Sequence, residues 1–137
     1  MMQQVAVNRY KQVAAATLTP GELLLALYGG LFRFLRTARQ CFEAGKRGAG
    51  AELCGKAHAI VAELDLALDH DVHPELCANL TGLYGFCLDR LITASRKGTV
   101  EPIDEVIRVL TPLREAWEIA VPQAIKEQGR ADAGKKR

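Results

Sequence analysis

The string Thr19-Pro20-Gly21-Glu22 constrains this chain more than any other stretch, because it fixes where a helix begins and which residues lie on its buried side. A threonine hydroxyl accepts from the free N–H groups of a first turn, and proline fits the first helical position, where no N–H is needed. Glutamate three residues on reaches back to the cap amide. Behind this start, Leu24, Leu27, Tyr28, Leu31, Phe34, Leu35, Ala38 and Phe42 recur at steps of three and four, with Arg33, Arg36 and Gln40 opposite. That period predicts one long amphipathic helix reaching Phe42. Gly30 lies inside it, where glycine costs roughly 1 kcal/mol against alanine, so a close backbone approach is expected there.

Three more helices follow from the same period. Gly45-Lys46-Arg47-Gly48-Ala49-Gly50 reads as a loop on its glycine content. A second helix is expected from about Ala51 to Asp69, with Leu53, Ala57, Ile60, Leu64 and Leu68 on one face. Pro74 opens a third, which carries Leu76, Leu80, Leu83, Tyr84, Cys87, Leu91 and Ala94 and stops near Lys97-Gly98. The fourth starts near Pro102 and carries Ile103, Val106, Ile107, Leu110, Leu113, Trp117 and Val121. Its interior prolines each remove a hydrogen bond, so a bend is expected near Arg108 to Pro112, with Pro122 ending or redirecting the helix. Nothing reads as a strand. Short loops between four such helices imply an all-α fold, an antiparallel up-down four-helix bundle over residues 19–127. Residues 1–18 show no sustained period and are expected to form a mobile arm bearing Val7 and Tyr10. Residues 128–137 are polar and glycine-bearing, which predicts a disordered basic tail.

Composition excludes more than it selects. A chain of 137 residues with a net charge of +2 is of single-domain length and has no nucleic-acid footprint. What basicity there is belongs to the tail, where residues 126–137 hold five basic and two acidic side chains. The longest uncharged run, Leu76 to Leu88, has 13 residues. That is short of the roughly 18 needed to span a bilayer, and no signal-peptide core is apparent, so no membrane insertion and a cytoplasmic location are expected.

No reaction chemistry emerges from the motifs. Cys41, Cys54, Cys77 and Cys87 show no CxxC spacing and fall on or beside apolar stripes, as small core thiols would. Asp69-His70-Asp71-Val72-His73 is the one dense set of possible metal ligands, but it sits in a turn, where such residues bond locally. The Glu-x-x-His pair of metal-binding bundles does not occur. His58 is helical and off the stripe, yet lacks the lysine in the next turn that a phosphotransfer histidine would have. No catalytic residue, cofactor, metal or small-molecule substrate is therefore expected.

The helices instead show surplus apolar surface. A core-facing stripe needs an arc of somewhat more than 100°, whereas the first helix is apolar over roughly 200° once Leu23, Leu25 and Phe32 are counted. On the third, Tyr84, Leu88 and Ile92 widen the stripe along one flank. Surplus of this kind is expected either to be covered by the N-terminal arm and the bundle itself or to receive another apolar helix or an extended segment. Val7, Tyr10, Leu25, Tyr28, Phe32, Tyr84, Leu88 and Ile92 are the candidate binding residues.

Several strings also carry a family resemblance. Tyr10, Thr19-Pro20-Gly21-Glu22-Leu23, Leu27-Tyr28 with Gly30, Phe34-Leu35, Leu83-Tyr84, Arg90-Leu91 and Leu113-Arg114-Glu115-Ala116-Trp117 resemble, in order and spacing, the flagellar export chaperones of the FliS type. The likeness runs from about Val7 to about Ala120. It departs from the family pattern at Gly29, at Gly85-Phe86-Cys87 and at Pro112. The resemblance implies a helical bundle around which the C-terminal segment of newly made flagellin wraps in the cytosol. Binding would prevent early polymerisation, and the cargo would be delivered to the flagellar type III export gate. The resemblance also implies that an arm bearing Tyr10 lies near the partner surface and the export gate. A generic helical adaptor for another amphipathic helix is the alternative.

Overall fold

The computed structural model describes residues 18–135, so the expectations for Val7 and Tyr10 lie outside the described residues. The described residues form four helices: α1 (Pro20–Glu43), α2 (Arg47–Leu66), α3 (Pro74–Lys97) and α4 (Glu101–Lys135). α1 begins as its cap dictates. The Thr19 hydroxyl accepts from Glu22 N at 3.1 Å, and Glu22 Oε1 accepts from Thr19 N at 3.2 Å. α3 opens on Pro74 and closes on Gly98, whose φ of 66° lies in the left-handed region that glycine adopts without a Cβ penalty.

Each helix packs on its neighbour in sequence, and α4 returns to α1, closing an antiparallel ring. The expected bundle is present. Leu27, Leu31, Leu35 and Ala38 of α1 meet Cys54, Ala57, Ile60, Val61 and Leu64 of α2 inside it. Leu80, Cys87, Leu91 and Ala94 of α3 and Ile103, Val106 and Leu110 of α4 complete the core. Two ion pairs tie the ring outside: Arg39 of α1 donates to Asp104 of α4 at 2.8 Å, and Arg90 of α3 lies 3.7 Å from Glu105.

Four boundaries and contacts differ from the sequence reading. α2 starts at Arg47, inside the supposed glycine loop, because Gly50 is buried against the Phe42 ring; a Cβ there would overlap Phe42. The same helix stops at Leu66 rather than Asp69. Gly30 is not forced by a close approach, since a Cβ would meet only Arg33 and Ile60 at ordinary contact distance. The tight glycine of α1 is Gly21, where a Cβ would come within 2.8 Å of Val121 in α4.

α4 is the larger departure. It neither ends at Pro122 nor gives way to a coil at Gln128, but stays helical through both prolines to Lys135. Thr111 Oγ1 donates to Ile107 O at 2.6 Å beside the turn that Pro112 interrupts. Side-chain bonds at i,i+4, Gln123 to Glu127 and Gln128 to Asp132, run along the distal part. Helix-favouring residues and such pairs outweigh Gly129 locally. Residues 122–134 are exposed.

Candidate partner-binding surface

The six described residues of those expected to bind a partner divide sharply by burial. Tyr28, Phe32 and Tyr84 are buried in the core, with Phe32 only 2% exposed. Phe32 and Tyr84, expected to be surplus to the core, are part of it, and Tyr28 is buried with them rather than open to a partner. Tyr28 and Tyr84 meet across the bundle, hydroxyl to hydroxyl at 2.7 Å, so each aromatic ring fills the core while its polar tip finds a buried partner. Burial raises both phenols, Tyr84 well above the usual tyrosine range. At Tyr28 the Tyr84 hydroxyl and the nearby Trp117 indole N–H offset part of that push. The Trp117 N–H is itself buried and has no hydrogen-bond partner among the described residues.

Phe32 is covered for a different reason. The guanidinium of Arg114 in α4 sits 4.8 Å from its ring centroid, and that of Arg36 sits 5.8 Å away. Cation–π attraction and the aliphatic stems of the arginines seal the ring. A helical wheel records only that Phe32 lies outside the main stripe of its own helix. That α4 would bring an arginine over it is a tertiary fact.

The remaining described candidates lie where a partner could reach them. Leu25 and Leu88 are half-buried, Leu88 against the core, and Ile92 is 50% exposed. Ile92 lines a groove of about 320 Å³ between α2 and α3, together with Cys54, Gly55, His58, Leu91 and Ser95. Burial lowers the His58 pKa, which keeps this rim imidazole neutral at physiological pH. Cys54 at the floor is a thiol pushed up to about 11, hence a small apolar group rather than a nucleophile.

A second groove, of about 480 Å³, lies between the start of α1 and distal α4. Thr19, Pro20 and Gly21 face Val121, Ala124 and Ile125 across it. The wheel missed the exposed Leu83 and Phe86 on the opposite flank of α3 from Ile92. Among the described residues no His, Cys, Asp and Glu cluster could hold a metal ion, and no helix is long and apolar enough to cross a membrane.

Comparison with known proteins gives this surface its context. The family model described as flagellar protein FliS matches residues 2–124. The chain belongs to the FliS family. A relative from Bacillus subtilis named as the flagellar secretion chaperone FliS is 34% identical over 128 residues, covering 93% of this chain and 95% of that one. The Salmonella typhimurium protein of the same name is 30% identical over 129 residues, covering 90% of this chain and 96% of that one. A crystal structure of a bacterial flagellar chaperone superposes with a TM-score of 0.71 at 27% identity, covering 86% of this chain and 96% of that chain. FliS proteins are flagellar secretion chaperones, and this chain shares their bundle over nearly its whole length.

Proposed function

We propose that this FliS-family chain binds the C-terminal segment of flagellin in the cytoplasm, prevents its premature polymerisation and delivers it to the flagellar export gate. The observation that carries the reading is the apolar surface left exposed on a complete bundle, Leu83 and Phe86 on one flank of α3 and Ile92 on the other. Flagellin ends are amphipathic helices, and a carrier needs to offer them apolar grooves without performing chemistry on them. Leu25, Leu88 and Ile92 remain the contact residues we assign. Tyr28, Phe32 and Tyr84 act on binding only by holding the grooves in shape. Val7 and Tyr10 are assigned to the partner surface with the arm that carries them.

Calorimetry with a peptide of the host flagellin C-terminal segment tests this directly. Burial of apolar surface should give a negative heat-capacity change. Ile92→Asp should weaken binding by about 2 kcal/mol if the residue is a hot spot, while leaving helicity intact. No binding at about tens of micromolar by folded protein would refute the flagellin reading and favour an adaptor for another amphipathic helix.

A further inference from the structure

The outer face of α1 holds positive charge that the fold leaves unanswered. Between Glu22 and Glu43 the helix carries Arg33, Arg36 and Arg39 and no acidic residue. Arg39 is engaged by Glu43 and by Asp104 of α4. Arg33 and Arg36 are exposed, and among the described residues neither has an acidic partner. Two further cations border them. Lys56 of α2, which also lacks an acidic partner among the described residues, has its ammonium 5.9 Å from the centre of the Phe34 ring, and Arg114 of α4 shares the Phe32 ring with Arg36. Among the described residues Glu118 is the one acid bound to this group, through Arg114 Nε at 3.0 Å.

Packing on aromatic rings holds these cations in place. Arg36 and Arg114 reach one ring from two helices, so both guanidiniums are positioned, and Arg114 spends only its Nε–H on Glu118. The Arg33 guanidinium folds back over Gly30, 3.7 Å from where a Cβ would stand. On Gly29 a Cβ would meet nothing within 4 Å. Gly29, Arg33 and Arg36 follow at steps of four and three, so they share one face, with an open glycine where another chain can come close to the backbone. α1 touches α2 and α4 but not α3. This face is therefore across the bundle from the exposed Leu83, Phe86 and Ile92 of α3.

We propose that this face docks an acidic segment of a partner protein, which crosses α1 at Gly29 and sets its carboxylates on Arg33, Arg36 and Arg114. Charge complementarity selects the occupant, because Arg33, Arg36 and Lys56 have no acid of their own. Glu52, one turn before Lys56 on α2, is exposed and forms no ion pair among the described residues, so it leaves Lys56 free. The planar guanidinium matches a carboxylate with paired N–H donors, whereas an ammonium acts as a point charge. A net charge of +2 over the whole chain is too small to track a phosphate polymer, which favours a peptide. The contact is exposed and electrostatic, so it supplies selectivity and salt dependence more than affinity. The inference is independent of which cargo the apolar grooves carry.

Fluorescence anisotropy with a labelled alanine-based peptide bearing glutamate at every fourth position tests this, against the same peptide with glutamine. At about 20 mM salt the glutamate peptide should bind the full chain, and the glutamine peptide at least about fivefold more weakly. Arg33→Gln with Arg36→Gln should weaken binding by about five- to tenfold, as two exposed ion pairs are lost, while circular dichroism stays unchanged. Gly29→Glu should weaken it similarly without loss of stability, because the new carboxylate lies one turn before Arg33 and claims it from within α1. Lys126→Gln with Arg130→Gln removes the same charge from distal α4 and should change binding by less than about twofold. No binding of the glutamate peptide at about 1 mM would overturn the proposal. Equal losses from the two glutamine pairs would also overturn it, since they would mark diffuse attraction alone. Tighter binding of a short single-stranded DNA, lost in the Arg33 and Arg36 variant, would overturn it in favour of nucleic acid.

Discussion

Removing the hydroxyl of Tyr84 gives a sharp test of how the core is built. The Tyr28 and Tyr84 hydroxyls are 2.7 Å apart in the bundle interior, and both residues are essentially inaccessible to water. Tyr84→Phe keeps the ring and its packing, so the loss is the hydrogen bond plus the penalty of stranding the Tyr28 hydroxyl. A buried group left without its partner costs about 1–3 kcal/mol. Tyr28→Phe strands Tyr84 in the same way and should cost a similar amount. Tyr28→Phe with Tyr84→Phe strands neither phenol, and its cost should fall below the sum of the singles by about 1 kcal/mol or more. For a chain of this size each kcal/mol moves Tm by roughly 3–5 °C. Thermal and urea melts of the four proteins measure the coupling. Strictly additive losses would show that the two hydroxyls do not act as a pair, and the account of the core given above would fail.

The same interior predicts alkaline lability. Cys54 and Cys87 are raised by burial from 9.0 to about 11 and about 12, and both tyrosines are raised above 10. In each case the folded state holds the neutral form, so this stability is complete below the unfolded value and is lost as pH climbs towards the folded one. Urea midpoints should therefore hold near pH 8 and fall progressively from about pH 9 upward; a flat profile to pH 11 would contradict the burial. Gly50→Val should destabilise by about 1–3 kcal/mol in chemical denaturation, because the Phe42 ring fills the space a side chain would need. Phe32→Ala should cost about 3–5 kcal/mol by the same measurement, whereas Ile92→Asp at the exposed groove should change stability by less than about 0.5 kcal/mol.

What the sequence determined by itself was the set of helices and the edge each turns inward. The cap at Thr19, Pro74 at one helix start and Gly98 at a helix end act through local backbone geometry, which a linear string carries in full. The order of apolar steps likewise decided the stripes, since side chains three and four apart share a face whatever lies opposite. The tertiary structure decided everything that depends on what does lie opposite. Gly50 joined a helix because Phe42 folds back onto it, and Phe32 left the surface because Arg114 crosses from α4. Tyr28 and Tyr84, 56 residues apart, became one buried pair. Distal α4 stayed helical where its prolines and glycine argued for a break, through bonds between its own side chains. The candidate site follows the same division. Ile92 was legible as an off-stripe apolar residue, while Leu83, on the stripe and expected inside, is 38% exposed in the assembled bundle. Periodicity records the angle of a residue on its own helix, and burial is set by the distance to the next one.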